Sequence, residues 1–185
     1  RFELAEAEIR GVQYRVFRNA PPDLRALLQE VGAAYGERDV LVYGDERWNY
    51  RAFAREIARL ANAMAALGVR PGDRVALALR NYPELPILIL AVSALGAVVV
   101  PLNAWWSEEE LAYALDDCGA RVVFADGPRY ARIQPSVSRL GLRLIAVRDA
   151  DGPLTYTSLR DDASSDDWPE VPIASDDDFA VLYSS

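Results

Sequence analysis

The sequence predicts an α/β fold in which a largely parallel sheet carries helices on both faces. Three observations lead there. Four short apolar runs, Arg74–Leu79, Ala97–Val100, Arg121–Ala125 and Leu142–Val147, lack the polar alternation of a half-exposed strand. Helical runs of 10–18 residues separate them, so each strand–helix–strand unit reads as a crossover between parallel neighbours. Apolar residues make up 51% of the 185, enough for a substantial core.

Taken in order, the first helix is expected over 23–34. Asp23 after Pro21-Pro22 can cap it, and Leu24, Leu27, Leu28 and Val31 recur at helical spacing. Val40–Tyr43 and Arg47–Tyr50 flank Gly44-Asp45-Glu46, a hairpin signal. The segment 51–67 is a helix by its stripe: Phe53, Ile57, Leu60, Met64 and Leu67 fall at steps of four, three, four and three. Gly68 is placed to end it and Pro71 prevents its resumption. A buried strand at 74–79, an apolar helix at 84–95 and a β-branched strand at 97–100 follow. The uncharged stretch Leu85–Val100 is sixteen residues long, holds Pro86 and Gly96, and falls short of the roughly 20 residues of a membrane-spanning helix. Ser107 and Glu110 have the spacing of a capping box opening the next helix, which Gly119 ends. A strand at 121–125, a helix near 129–139 and a strand at 142–147 complete the repeat. Residues 149–177 read as a loop-rich acidic connection, and Phe179–Tyr183 as one more strand.

Charge is uneven. The net is −8, and the stretch 149–178 alone holds ten carboxylates against Arg160, while the remainder is close to neutral. No basic groove appears, which argues against a nucleic-acid partner. Every basic residue is arginine: lysine and histidine are absent. That excludes a G-x-x-x-x-G-K phosphate loop, histidine triads, histidine metal sites and Schiff-base lysines within these residues. The turns after the strands, Arg80–Pro83, Leu102–Trp105 and Asp126–Arg129, lack the glycines of a dinucleotide fingerprint. A single cysteine, Cys118, cannot form an internal disulfide, so a reducing, cytoplasmic compartment is expected, and the opening Arg1-Phe2-Glu3-Leu4-Ala5-Glu6 does not resemble a secretory signal. Cys118 lies near a helix C-terminus, where the dipole raises a thiol pKa and argues against a nucleophile. Asp176-Asp177-Asp178 reads as a solvated loop rather than a metal site. Trp105-Trp106 either pack over the sheet edge or border an apolar path.

Three segments share a further pattern. Trp48–Phe53 leads into a helix and then Gly68-Val69-Arg70-Pro71-Gly72-Asp73-Arg74-Val75-Ala76; Ser93–Asn103 runs from a helix end through Gly96 into a strand closed by Pro101; Asp178–Ser185 is a strand ending in two hydroxyls. In this order the chain resembles the adenylate-forming (AMP-binding) family, of the acyl-CoA synthetase or fatty-acid–CoA ligase type, over nearly all of 23–185. The resemblance implies that residues 1–185 are the amino-terminal part of the adenylation domain, ending at the start of its phosphate loop. It implies ATP with Mg²⁺, coenzyme A as co-substrate and a carboxylic acid, a fatty acid by preference, with a homodimer left open. Ser184 and Ser185 then become phosphate contacts; on the residues alone they are two polar groups beyond a strand. No catalytic or metal-binding residue is assigned here, and the fragment alone is expected to be inactive. A non-catalytic interaction or structural module with the same topology is the alternative.

Overall fold

The structure is a computed structural model that describes residues 3–183. It opens with a hairpin that the sequence reading did not anticipate, β1 (Leu4–Ile9) against β2 (Val12–Phe17). Its two-residue turn takes Arg10 and Gly11 at positive φ, 51° and 80°, the turn that matches strand twist. Helix α1 (Leu24–Tyr35) is capped by Asp23, whose carboxylate accepts the Ala26 N–H. The expected second hairpin is present as β3 (Asp39–Tyr43) and β4 (Glu46–Asn49). Asn49 does not extend the strand further; its side chain accepts the Ala52 N–H and starts α2 (Tyr50–Ala66).

The core sheet follows. β5 (Arg74–Ala78), α3 (Glu84–Ala94), β6 (Val98–Pro101), α4 (Glu108–Cys118), β7 (Val122–Asp126), α5 (Gly127–Ile133), α6 (Val137–Leu140) and β8 (Arg143–Val147) lie in sequence, with α7 (Tyr156–Asp161) beyond. The strands pair in the order β6-β5-β7-β8, all parallel, with Val75 opposite both Val99 and Val122. Side chains alternate between faces, and each face has its own core. Val75, Leu77, Phe124, Ile145 and Val147 meet α2, α3 and α7, with α1 outside them. Ala76, Ala78, Val123, Ala125 and Leu144 meet α4, α5 and α6. Helices on both faces explain why the strands carry no polar alternation.

The helix expected over 129–139 is broken. Pro135 cannot donate a helical hydrogen bond, and residues 134–136 tighten into a 3₁₀ turn between α5 and α6. The Ser107–Glu110 capping box forms as expected: the Ser107 N–H donates to Glu110 Oε2 at 2.7 Å, and the Glu110 N–H to Ser107 Oγ at 3.3 Å. The acidic connection is more ordered than its composition suggests. It contains α7, capped by Thr155 and Ser158, and its backbone is held by Arg25, Arg59 and Asn62 from α1 and α2. Among the described residues, no helix is long and apolar enough to cross a membrane.

Candidate functional site

β5 sends its crossover to β6 on one side, while β7 sends its own to β8 on the other. The chain therefore reverses direction between β5 and β7, and their carboxyl ends open a crevice where sheets of this kind place ligands. Asp126, the last residue of β7, sits in it fully buried. Its Oδ2 accepts the Arg80 N–H at 2.9 Å, and its Oδ1 accepts Arg129 Nη1 at 3.0 Å. Arg129 Nε donates in turn to the Ala104 carbonyl at 2.7 Å, and Arg132 Nη1 to the Trp106 carbonyl at 2.9 Å. One buried carboxylate thus ties together the loops that follow β5, β6 and β7. A buried pair of charges is tolerated because each also meets backbone partners.

The loops after β5 and β6 border a cleft of about 340 Å³ with Tyr43, Arg80, Tyr82 and Trp105 in its walls. Arg148, just past β8, braces two of those walls. Its guanidinium donates to Glu46 at 2.9 and 3.0 Å and to Glu84 at 2.7 Å, and lies 5.3 Å from the Tyr43 ring centre and 5.0 Å from that of Tyr82. The hydrogen bonds to Glu46, then Glu84, hold its pKa well above the usual arginine range. Its φ of 53° is unusual for a residue with a side chain, and this many partners hold it there.

The predicted phosphate contacts, Ser184 and Ser185, lie outside the described residues. The approach to them is visible. Phe179–Tyr183 was expected as a full strand; it makes a single parallel bridge, Ala180 with Val99. Val99 N–H donates to the Phe179 carbonyl at 3.0 Å, and Val181 N–H to the Val99 carbonyl at 2.9 Å. The next rung would need an N–H at residue 101, and Pro101 has none, so the ladder stops. Being parallel to β6, the segment brings Tyr183 to the carboxyl edge of the sheet. There the Tyr183 ring meets Trp106 edge-on, with centroids 5.9 Å apart, and its hydroxyl lies 2.6 Å from Asp117 Oδ2. Burial first, and the bond to Asp117 second, push the phenol pKa up, so it stays a donor.

The paired tryptophans divide. Trp106 packs on Tyr183 and the α4 side of the core, whereas Trp105 is 81% exposed at the cleft rim. Cys118 has a raised pKa, in the direction expected, with burial the leading cause. Asp178 pairs with Arg10 at 3.0 Å, and Asp177 accepts the Ala174 N–H. Among the described residues, no group of three or more acidic or cysteine side chains is arranged to hold a metal ion. A larger, more apolar cleft of about 440 Å³ runs between the start of α1 and residues 173–179, bordered by Leu24, Leu27, Gly96 and Phe179. It opens at the amino end of β6, away from the crevice, and its Asp23 is spent on capping α1. Asp126, Arg129 and Tyr183 were missed from sequence. The available signals were an acidic residue closing a buried strand with arginine three positions on, and an aromatic just ahead of the two serines.

Comparison with known proteins places this architecture. Residues 28–185 match the AMP-binding enzyme family. Crotonobetaine/carnitine–CoA ligase of Escherichia coli is 29% identical across 88% of this chain and 34% of its own length. The fatty acyl CoA synthetase of Mycobacterium tuberculosis superposes with a TM-score of 0.76 at 25% identity, over 89% of this chain and 33% of that one. The N-terminal domain of FACL13 from the same organism gives 0.79 at 26% identity, over 89% and 41%. The chain spans about a third of the length of the curated relatives it matches.

Proposed function

The chain belongs to the AMP-binding enzyme family, and from that membership we propose that it is the amino-terminal part of an adenylation domain in an ATP-dependent acid–CoA ligase. In that reaction a substrate carboxylate oxygen attacks the α-phosphorus of ATP. A phosphorus–oxygen bond forms, pyrophosphate leaves, and an acyl-adenylate results. The thiolate of coenzyme A then attacks the acyl carbon, forming a thioester and releasing AMP. The observation that carries the reading is the course of residues 178–183. They run parallel along β6 and bring Tyr183, the residue before the two serines in sequence, to the carboxyl edge of the sheet, the same edge at which Asp126 ties the loops together. Hydroxyls and backbone amides entering a loop after a strand suit a polyphosphate anion.

In this reading Ser184 and Ser185 contact phosphate, and the Asp126–Arg129 pair keeps the edge loops in place. No residue of this stretch is assigned to bond making. Mg²⁺ would enter with the phosphates of ATP; nothing in the described residues forms a ligand set for it, so no step is assigned through it. The substrate is proposed to be a fatty acid, in keeping with the likeness to the fatty acyl CoA synthetase of Mycobacterium tuberculosis.

The test is acid-dependent ATP–pyrophosphate exchange by the longer protein across short, medium, long, aromatic and carnitine-like acids. Exchange with medium or long aliphatic acids is the expected outcome. Exchange confined to aromatic or small charged acids would overturn the fatty-acid assignment alone; none with any acid would favour a non-catalytic module. Ser185→Ala should lower the rate about ten- to a hundredfold, the worth of one charge-assisted phosphate bond expressed in the transition state.

A further inference from the structure

We infer that Tyr183 is a positioning residue for the phosphate-binding segment, fixing the chain immediately before Ser184 and Ser185 to two separate elements. The inference rests on the ligase reading above. Three observations carry it.

The backbone alone holds this segment weakly. Two hydrogen bonds join it to β6, and Pro101 ends the ladder there. Leu182 is 76% exposed and adds little packing. Among the described residues past Val181, the side chain of Tyr183 is what attaches the segment to the body of the fold.

That attachment has two points. The hydroxyl proton goes to Asp117 Oδ2 at 2.6 Å on α4, with the Ala114 carbonyl at 3.2 Å beside it. The ring stands edge-on to Trp106, 78° between planes, in the loop after β6.

Both seats are themselves fixed. α4 starts in a complete capping box, and Ala114 is buried in the core. The Trp106 carbonyl is gripped by Arg132, and that of Ala104, two residues earlier, by Arg129, which buried Asp126 holds. A loop that binds phosphate through backbone amides needs its entry point set to within a fraction of an ångström. Tyr183 supplies that constraint, and it acts through the serines rather than on ATP directly.

The experiment uses the longer ligase carrying Tyr183→Phe, Asp117→Ala, Asp117→Asn, or Tyr183→Phe with Asp117→Ala. The dissociation constant for ATP is measured at equilibrium, alongside KM for ATP, KM for the acid and the melting temperature. Tyr183→Phe and Asp117→Ala should each weaken ATP about tenfold by KM and by dissociation constant. KM for the acid should stay within about twofold, and the melting temperature should hardly move. The double variant should be no worse than either single one, because both remove one interaction. Asp117→Asn, which keeps an acceptor oxygen, should lose at most about twofold. Unchanged ATP affinity would overturn the inference. So would ATP and acid constants rising together with a fall in melting temperature, the result of packing alone. If the unaltered protein binds ATP without exchanging pyrophosphate, the ligase reading fails while the ATP dissociation constants still judge Tyr183. If it binds no ATP, both fail.

Discussion

At Gly96 the chain leaves α3 with φ at +69° and turns into β6, its carbonyl accepting the Gly72 N–H at 2.8 Å. A Cβ built there would meet Pro71, Ile173 and Pro172 at 3.4–3.5 Å, which is ordinary contact. Backbone angle, and not space, therefore makes glycine necessary for the first carbon. Left-handed backbone costs a residue with a side chain about 1–2 kcal/mol, and a β-branched one pays more because its methyls also crowd Pro71 and Ile173. Gly96→Ala is expected to cost about 1 kcal/mol and Gly96→Val about 2 kcal/mol or more, read from urea midpoints; equal midpoints for all three proteins would contradict this. The glycine was legible in the sequence because it joins an apolar helix to a β-branched strand. Asp126 and Arg148 were not. Their importance comes from partners 46 and 102 positions away, Arg80 and Glu46, which no local pattern connects.

α7 is an element whose docking depends on a buried acid. Tyr156 on α7 donates to Glu56 Oε1 on α2 at 2.8 Å, and Arg160 Nη1 approaches the same oxygen at 3.8 Å. Glu56 is only 7% exposed, and burial outweighs the Tyr156, Arg160 and Arg59 contributions to raise its pKa. The folded protein then binds the Glu56 proton more tightly than the unfolded chain does. Its stabilising share is complete below the ordinary glutamate value of about 4.3 and is lost as pH rises through the raised folded value. Against Glu56→Gln, which keeps an acceptor for Tyr156 but does not titrate, the wild-type urea midpoint should fall steadily from pH 4 upward and then level off. A constant difference between pH 4 and pH 7 would show that Glu56 folds with an ordinary pKa. The core strands and the helices between them could be placed from sequence because burial on both faces leaves unbroken apolar runs. α7 could not: its third residue, Ser158, closes the cap where glutamate or glutamine is the usual signal, and it lies within a run of carboxylates. The β1–β2 hairpin escaped because its Gly11 is preceded by arginine, not by asparagine or aspartate.

Over the whole molecule, the acidic connection crosses from β8 back past α2 and α1 before reaching β6, held by Arg59, Asn62 and Arg25 to its carbonyls. Its excess charge at 149–178 was plain in the sequence; that arginines elsewhere would bind its backbone was not, since the pairings span 101 to 146 positions. The connection delivers the chain to the amino end of β6, and residues 178–183 carry it on to the carboxyl edge, where the cations among the described residues can be followed one by one. Arg129 is committed to Asp126 and the Ala104 carbonyl, Arg132 to the Trp106 carbonyl, and Arg148 to Glu46 and Glu84. Arg80 borders the cleft, and no lysine exists in the 185 residues. Adenylation concentrates negative charge on a five-coordinate phosphorus and its leaving pyrophosphate, and catalysts offset it with several preorganised donors, each worth about 10²–10³ in rate. Among the described residues, the single uncommitted cation at this rim cannot replace a set of that size. The 185-residue chain by itself is therefore expected to show no acid-dependent ATP–pyrophosphate exchange under conditions where the longer protein, on the reading proposed above, is expected to show it. Circular dichroism on the same sample establishes that the isolated chain is folded, so that a blank result reports missing chemistry. Exchange by the folded 185-residue chain would mean that the groups at this edge, Arg80 foremost, suffice for the phosphoryl step, and the division of labour proposed here would be wrong.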